Sequence, residues 1–188
     1  MPETEFSISK ETQDELLKLA RNRIACETAG KPWSYAPPAT LPELQLELPA
    51  FVTLTKGGHL RGCIGYIQPM GPVWRAVEEM AYSAAFGDPR FPKVTADEVP
   101  QLHIEISLLS PMSPITPDAI TPFKHGVLVR RGRHSGLFLP QVWEQLPDKQ
   151  LFMSYLCIEK AGLEADAWLK PDTQLLAFTV FPFEEQKP

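Results

Sequence analysis

Cysteine is scarce in this chain and does not pair: Cys26, Cys63 and Cys157 are three in number, and no two of them stand in a Cys-x-x-Cys spacing. An odd count, in a chain of 188 residues that can bury a core unaided, excludes a disulfide framework and points to the reducing cytoplasm. Long apolar runs are missing too. No segment approaches the ~20 apolar residues a membrane-spanning helix requires. Glu3, Glu5 and Lys10 break the N-terminal stretch where a secretory leader would be continuously apolar. Basic charge is not in excess: 18 Lys and Arg face 23 Asp and Glu, a net charge of -5, which gives no global reason to expect nucleic acid. Zinc-finger spacing, a His-Glu-x-x-His pair and a Gly-rich phosphate loop are all absent, so no metal site is expected and the sequence names no cofactor.

Proline, in contrast, is abundant. The 20 prolines are scattered among short connections rather than gathered in a tail, so they read as rigid turns of a compact fold. Thr12 and Glu15 have capping-box spacing, and Leu16, Ala20 and Ile24 recur every four residues, which predicts an amphipathic helix over about 12–29 stopped by Gly30. Residues 31–48 carry four prolines and no period, and read as an ordered connection. Strand-like runs at 50–55 and 60–66 flank Lys56-Gly57-Gly58-His59, the strongest hairpin signal present. A helix follows Pro72, with Val73, Ala76, Val77, Met80, Ala81 and Ala84 on one face, and the loop 86–92 ends it.

Further on, Leu102, Ile104, Ile106 and Leu108 alternate with His103, Glu105 and Ser107 as in a half-buried strand. A second hairpin is predicted at 126–131 and 136–139 around Gly132-Arg133-His134-Ser135. A helix over about 148–161 is bounded by Asp148 and Gly162. The run 174–183 is apolar on both alternating faces and reads as one strand buried on both sides. Hairpins mixed with isolated helices, without strict alternation, point to α+β rather than a doubly wound sheet.

The stretch richest in chemistry is Leu60-Arg61-Gly62-Cys63-Ile64-Gly65. On a regular strand Arg61 and Cys63 share a face, and a fixed positive charge beside the sulfur favours the thiolate. Gly62 and Gly65 leave bare backbone for a substrate to approach. A thiol nucleophile also needs a base or an orienting group; His59, His103, His125 and His134 are the available histidines. Asp88 and Arg90 flank Pro89 in a rigid loop, where a turn-closing salt bridge competes with substrate contact. His103 and Glu105 share a strand face; a solvated polar face is the simpler account, an acid-base pair the alternative. The basic stretch 124–134 could meet phosphate, but it lacks interleaved aromatics and reads as a solvated hairpin. Cys26 and Cys157 read as packing residues in helices.

Taken in order, these motifs resemble the AMMECR domain family, also called AmmeMemoRadiSam system protein A, over nearly the whole of residues 1–188 as one domain. The resemblance rests on Phe51-Val52-Thr53-Leu54, on Leu60 to Gly65, and on Ala84 to Pro92 with Phe86-Gly87-Asp88-Pro89-Arg90 at its centre. It continues through Ile104 to Pro111, His125 to Val129, Gly136 to Val142, Leu156-Cys157 and Lys160 to Leu163. It implies an α+β protein, mainly antiparallel sheet flanked by helices, with a larger lobe holding both termini, a smaller lobe, and a cleft between them. It supports His125 and implies association with a Memo-like or radical-SAM protein, but carries over no settled activity. The reading is therefore a cytoplasmic enzyme or enzyme-system component that presents Cys63, assisted by Arg61 and with His125 as candidate base. Gly62, Gly65, Asp88, Arg90 and Glu105 are the candidate contacts to an unknown small molecule. The alternative is a non-catalytic adaptor; binding of nucleic acid through residues 124–134 is the lesser one.

Overall fold

The computed structural model describes residues 6–186. Glu3 and Glu5, which break the N-terminal stretch, lie outside the described residues. In chain order the elements are α1 (Lys10–Thr28), β1 (Ala50–Lys56), β2 (His59–Gly65), α2 (Val73–Phe86), β3 (Leu102–Leu109), β4 (Ser113–Pro114), β5 (Gly126–Arg131), β6 (His134–Phe138), α3 (Lys149–Tyr155), β7 (Gln174–Phe178) and β8 (Val180–Glu184). The fold is α+β, as expected. The chain forms two units: one runs to Leu109 and resumes at Phe181, and the other is Ser110–Val180.

In the first unit the sheet order is β2-β1-β3-β8, with β1 antiparallel to both β2 and β3. Val52, Leu54, Ile104 and Ile106 on one face of this sheet join Leu16, Ala20 and Ile24 of α1 and Val77, Met80 and Ala81 of α2 in one apolar core. The start of α1 differs from the expectation. Ser9, not Thr12, is the cap, accepting the Thr12 N–H, while buried Thr12 donates its hydroxyl to Glu43 at 2.6 Å. Glu43 also accepts the Ser9 N–H, so an acceptor 34 residues away braces a cap that Ser9 supplies locally. The other end follows the sequence: Gly30 has φ 63°, and the bonds Gly30 N–H to Glu27 O and Lys31 N–H to Cys26 O close a Schellman turn.

The second unit holds the sheet β4-β7-β5-β6. Its core is built on Trp143, whose ring stacks on Phe152 with centroids 3.5 Å apart and planes 3° from parallel. The β5–β6 turn is tighter than the sequence suggests: Arg131 pairs with His134, so only Gly132 and Arg133 turn, and His134 and Ser135 are strand. The helix bounded by Asp148 is α-helical to Tyr155 and continues as a π-helical segment, Leu156–Ala161.

The run 174–183 is not one strand. It breaks at Thr179, and β7 and β8 belong to different sheets. Thr179 exchanges bonds with Ser110 instead of a ladder: its N–H donates to Ser110 Oγ at 2.9 Å, and its carbonyl accepts the Ser110 N–H at 2.9 Å. Apolar residues fall on both alternating faces because the chain changes sheets midway. Among the described residues, no helix is long and apolar enough to cross a membrane.

Candidate functional site

The two-residue turn Gly57-Gly58, with φ 58° and 80°, joins β1 to β2. Counting outward from that turn in perfect register would set Arg61 opposite Leu54 and Cys63 opposite Val52, driving a guanidinium into the core. The structure avoids this with a bulge: Thr55 pairs with Leu60, but Leu54 pairs with Gly62, leaving Arg61 as the extra residue. A one-residue slip exchanges the faces of a strand. Gly62 therefore takes the core side, where α2 comes so close that a Cβ would lie 2.1 Å from the Ala84 carbonyl oxygen. Cys63 turns to the opposite, half-buried side, paired with Thr53, whose Oγ1 lies 3.2 Å from Cys63 Sγ. Thr53 also pairs with Glu105, so Cys63, Thr53 and Glu105 form a row across β2, β1 and β3.

Arg61 and Cys63 are not partners. The Arg61 guanidinium grips Glu98 with two bonds, at 3.0 and 2.9 Å, and donates a third to the Pro92 carbonyl at 2.8 Å. Glu98 also accepts from Lys56 at 2.9 Å and from the Thr95 N–H at 3.1 Å. Arg61, followed by Lys56, holds the Glu98 carboxyl well below the ordinary carboxylate range.

The cation beside Cys63 is Arg90. Asp88, whose side chain is only 1% exposed, accepts the Cys63 N–H at 3.0 Å. It also accepts the Arg90 N–H at 3.1 Å and the Arg90 guanidinium at 2.9 and 2.7 Å. Arg90 Nη2 reaches the Cys63 carbonyl at 3.2 Å. The Asp88–Arg90 unit thereby satisfies both outward-facing backbone groups of Cys63 on edge strand β2, the groups that would otherwise invite another strand. Hydrogen bonds from Arg90 hold the Asp88 carboxyl well below its usual range, despite a burial that pushes the other way. The Arg90 side chain remains 54% exposed.

The remaining candidates each have other neighbours. A Cβ on Gly65 would meet the Phe51 ring at 2.2 Å, so this glycine admits an aromatic neighbour. His103 Nε2 bonds Glu184 at 2.8 Å on β8. His125, buried in the second unit, accepts the Thr121 N–H on Nδ1 at 3.0 Å, and its carbonyl accepts from Trp143 Nε1 at 2.7 Å; a neutral ring in that arrangement carries its proton on Nε2. In the 124–134 stretch Arg131 faces Glu164 and Asp172, and Arg130 and Arg133 are exposed. Among the described residues no group of three or more His, Cys, Asp or Glu could hold a metal ion. Thr53 and Glu98 were not sequence candidates. The signal for both was the register itself, since a tight Gly-Gly turn that aims Arg61 at the core requires a bulge and a carboxylate to receive the arginine.

Comparison with known proteins shows the family and the fold. The AMMECR1 family model matches residues 17–183. A protein of Thermococcus gammatolerans is 38% identical, over 97% of this chain and 95% of that one. Protein MK0488 of Methanopyrus kandleri is 37% identical, over 96% and 92%. The crystal structure of uncharacterized protein PH0010 from Pyrococcus horikoshii superposes with a TM-score of 0.75 at 37% identity, covering 97% of this chain and 96% of that one. The chain belongs to the AMMECR1 family.

Proposed function

We propose that the row Cys63, Thr53 and Glu105 is the working surface of an enzyme or enzyme-system component of the reducing cytoplasm, with Cys63 Sγ as its reactive atom. The observation that supports this is the bulge at Arg61. A cysteine kept only for packing belongs in the core, yet here a ladder irregularity gives the core position to a glycine and turns the thiol outward. Bulges of this kind re-aim side chains next to active sites. Arg90, rather than Arg61, is the cation placed to orient an anionic small molecule near the sulfur, because its guanidinium is anchored on one side and exposed on the other.

Alkylation of the folded protein, read cysteine by cysteine by mass spectrometry, tests this reading against half-buried Cys26, which donates to two backbone carbonyls. Cys63 should react faster than Cys26, and Arg90→Ala should slow it. Equal rates at both cysteines, unchanged in Arg90→Ala, would sink the proposal.

A second reading has its own observation. Leu60, Tyr66, Ile67 and Met70, on and just after β2, are exposed, Met70 by 64%. Such a patch suits a protein partner, of Memo-like or radical-SAM type, in an adaptor role. Cys63→Ser separates the two: an adaptor keeps partner affinity and pathway function, whereas a thiol enzyme loses function with its fold intact.

A further inference from the structure

A pocket of about 540 Å³ opens between the C-terminal half of α1, the segment 33–35 and the outer face of α2, and no residue of the Cys63 site lines it. Four aromatic rings line it: Trp33, Tyr35, Trp74 and Tyr82. On α2, Trp74, Glu78 and Tyr82 stand four residues apart and so share one face. The segment 33–35 is fastened across that face by Trp33 Nε1 donating to Glu78 and by the Tyr35 hydroxyl donating to Glu15 at 3.0 Å. The rings are coupled, Trp33 to Tyr35 with planes 6° apart and Tyr35 to Trp74 with centroids 5.5 Å apart.

What these rings hold is positive charge. The Arg23 guanidinium carbon lies 4.5 Å from the centroid of Tyr82 and 5.6 Å from that of Trp33. Arg75 lies over Trp74 at 5.1 Å. The two arginines differ in one respect. Arg23 is tied to Glu27 at 3.0 Å with its side chain 14% exposed, whereas Arg75 is exposed and has no carboxylate partner among the described residues. Glu79, one helical turn from Arg75, is likewise exposed and without a described partner. Trp74 adds a second indication. Its Nε1–H is buried with no acceptor among the described residues, a destabilising arrangement that phenylalanine or leucine would avoid, so what tryptophan contributes there is its ring face, the strongest cation attractor among side chains.

We propose that this pocket binds an organic cation, a methylated ammonium or alkylguanidinium group, which takes the place of Arg75 over Trp74 beside the carboxylate of Glu79. Arg75 acts as an internal stand-in that covers the ring until the ligand arrives. Trp74, with Tyr35 tilted against it and the Glu79 carboxylate nearby, offers the aromatic face that such groups bind. The pocket size falls within the range of small-molecule sites.

The test is titration of the full chain with choline and with its neutral isostere 3,3-dimethyl-1-butanol, read on the indole N–H resonances of Trp33 and Trp74, with core residues Trp143 and Trp168 as internal controls. Choline should shift the Trp33 and Trp74 signals saturably and bind about fivefold tighter than the isostere. Arg75→Ala should tighten choline binding and Glu79→Gln should weaken it by about threefold, both variants lying at exposed positions that leave the fold intact. The absence of a saturable shift in wild type and Arg75→Ala alike would overturn the proposal. Equal binding of the isostere would overturn it in favour of a merely apolar pocket, and weaker choline binding in Arg75→Ala would overturn the role of Arg75 as a stand-in over Trp74.

Discussion

Removal of the Asp88 carboxylate should loosen β2 at Cys63 and lower global stability by an amount the structure sets. Asp88→Ala takes the acceptor away from the Cys63 N–H and the Arg90 N–H and frees the Arg90 guanidinium. The guanidinium is half in water already and recovers its hydration, so it contributes little to the loss. The Cys63 and Arg90 amides, whose bonds to Asp88 are only part-buried, recover theirs incompletely. A lost charge-assisted bond and a stranded donor together cost about 3 kcal/mol. In a chain of this size that corresponds to a fall in Tm of roughly 6–12 °C. Asp88→Asn preserves the shape and one acceptor oxygen and should cost about half as much. Thermal unfolding gives the global number, and hydrogen exchange at the Cys63 amide gives the local one, with faster exchange in both variants.

The pH dependence supplies a further discriminating readout. Arg90 and the two backbone donors depress the folded-state pKa of Asp88, so the unfolded chain takes up the proton first as pH falls. The stabilisation is therefore complete above the unfolded carboxyl value of ~3.9 and is lost as pH drops below it toward the depressed folded value. The gap between wild type and Asp88→Asn should stay level from pH ~5 upward and narrow below pH ~4. A Tm within about 2 °C of wild type for Asp88→Ala, or a gap unchanged by acid, would refute the reasoning.

Two further substitutions probe the same strand. Gly62→Ala forces a methyl against the Ala84 carbonyl, which is backbone and cannot rotate away, so urea denaturation should show a loss near the top of the ~1–3 kcal/mol overpacking range. Glu98→Gln removes the charge that gathers Arg61 and Lys56 and should cost about 1–2 kcal/mol near neutral pH by urea midpoint. Because the folded pKa of Glu98 is also depressed, that difference should shrink only as pH falls below ~4.

Much of the fold is legible in the sequence because its signals are local. The Gly57-Gly58 turn, the Gly30 stop, the Asp148 cap and the alternation of β3 each need only neighbours in the chain. The failures share a cause, which is a partner distant in sequence. Glu43 braces the Ser9 cap at the start of α1 and takes up the Thr12 hydroxyl, and the Ser110–Thr179 bonds split a run of apolar residues between two sheets. The site follows the same rule. Cys63 and the Asp88 loop stand out in the sequence as unusual chemistry, but Arg61 flanks Cys63 only on a regular strand. The bulge made Glu98 the partner of Arg61 and left Arg90, held by Asp88, beside the cysteine.

The splitting of the first unit around Ser110–Val180 has a consequence for how the protein is made. On the ribosome, α1, α2 and β1 to β3 emerge early, whereas β8 is translated only after the whole inserted segment. At bacterial to eukaryotic elongation rates of ~5–20 residues per second, that interval lasts roughly 4–14 s. Throughout it, β3 has β1 on one side and nothing on the other, and Arg21 waits for Glu185, its ion-pair partner. A nascent chain is thus obliged to carry an open sheet edge for seconds, long enough for a chaperone to engage it or for two chains on one polysome to pair wrongly.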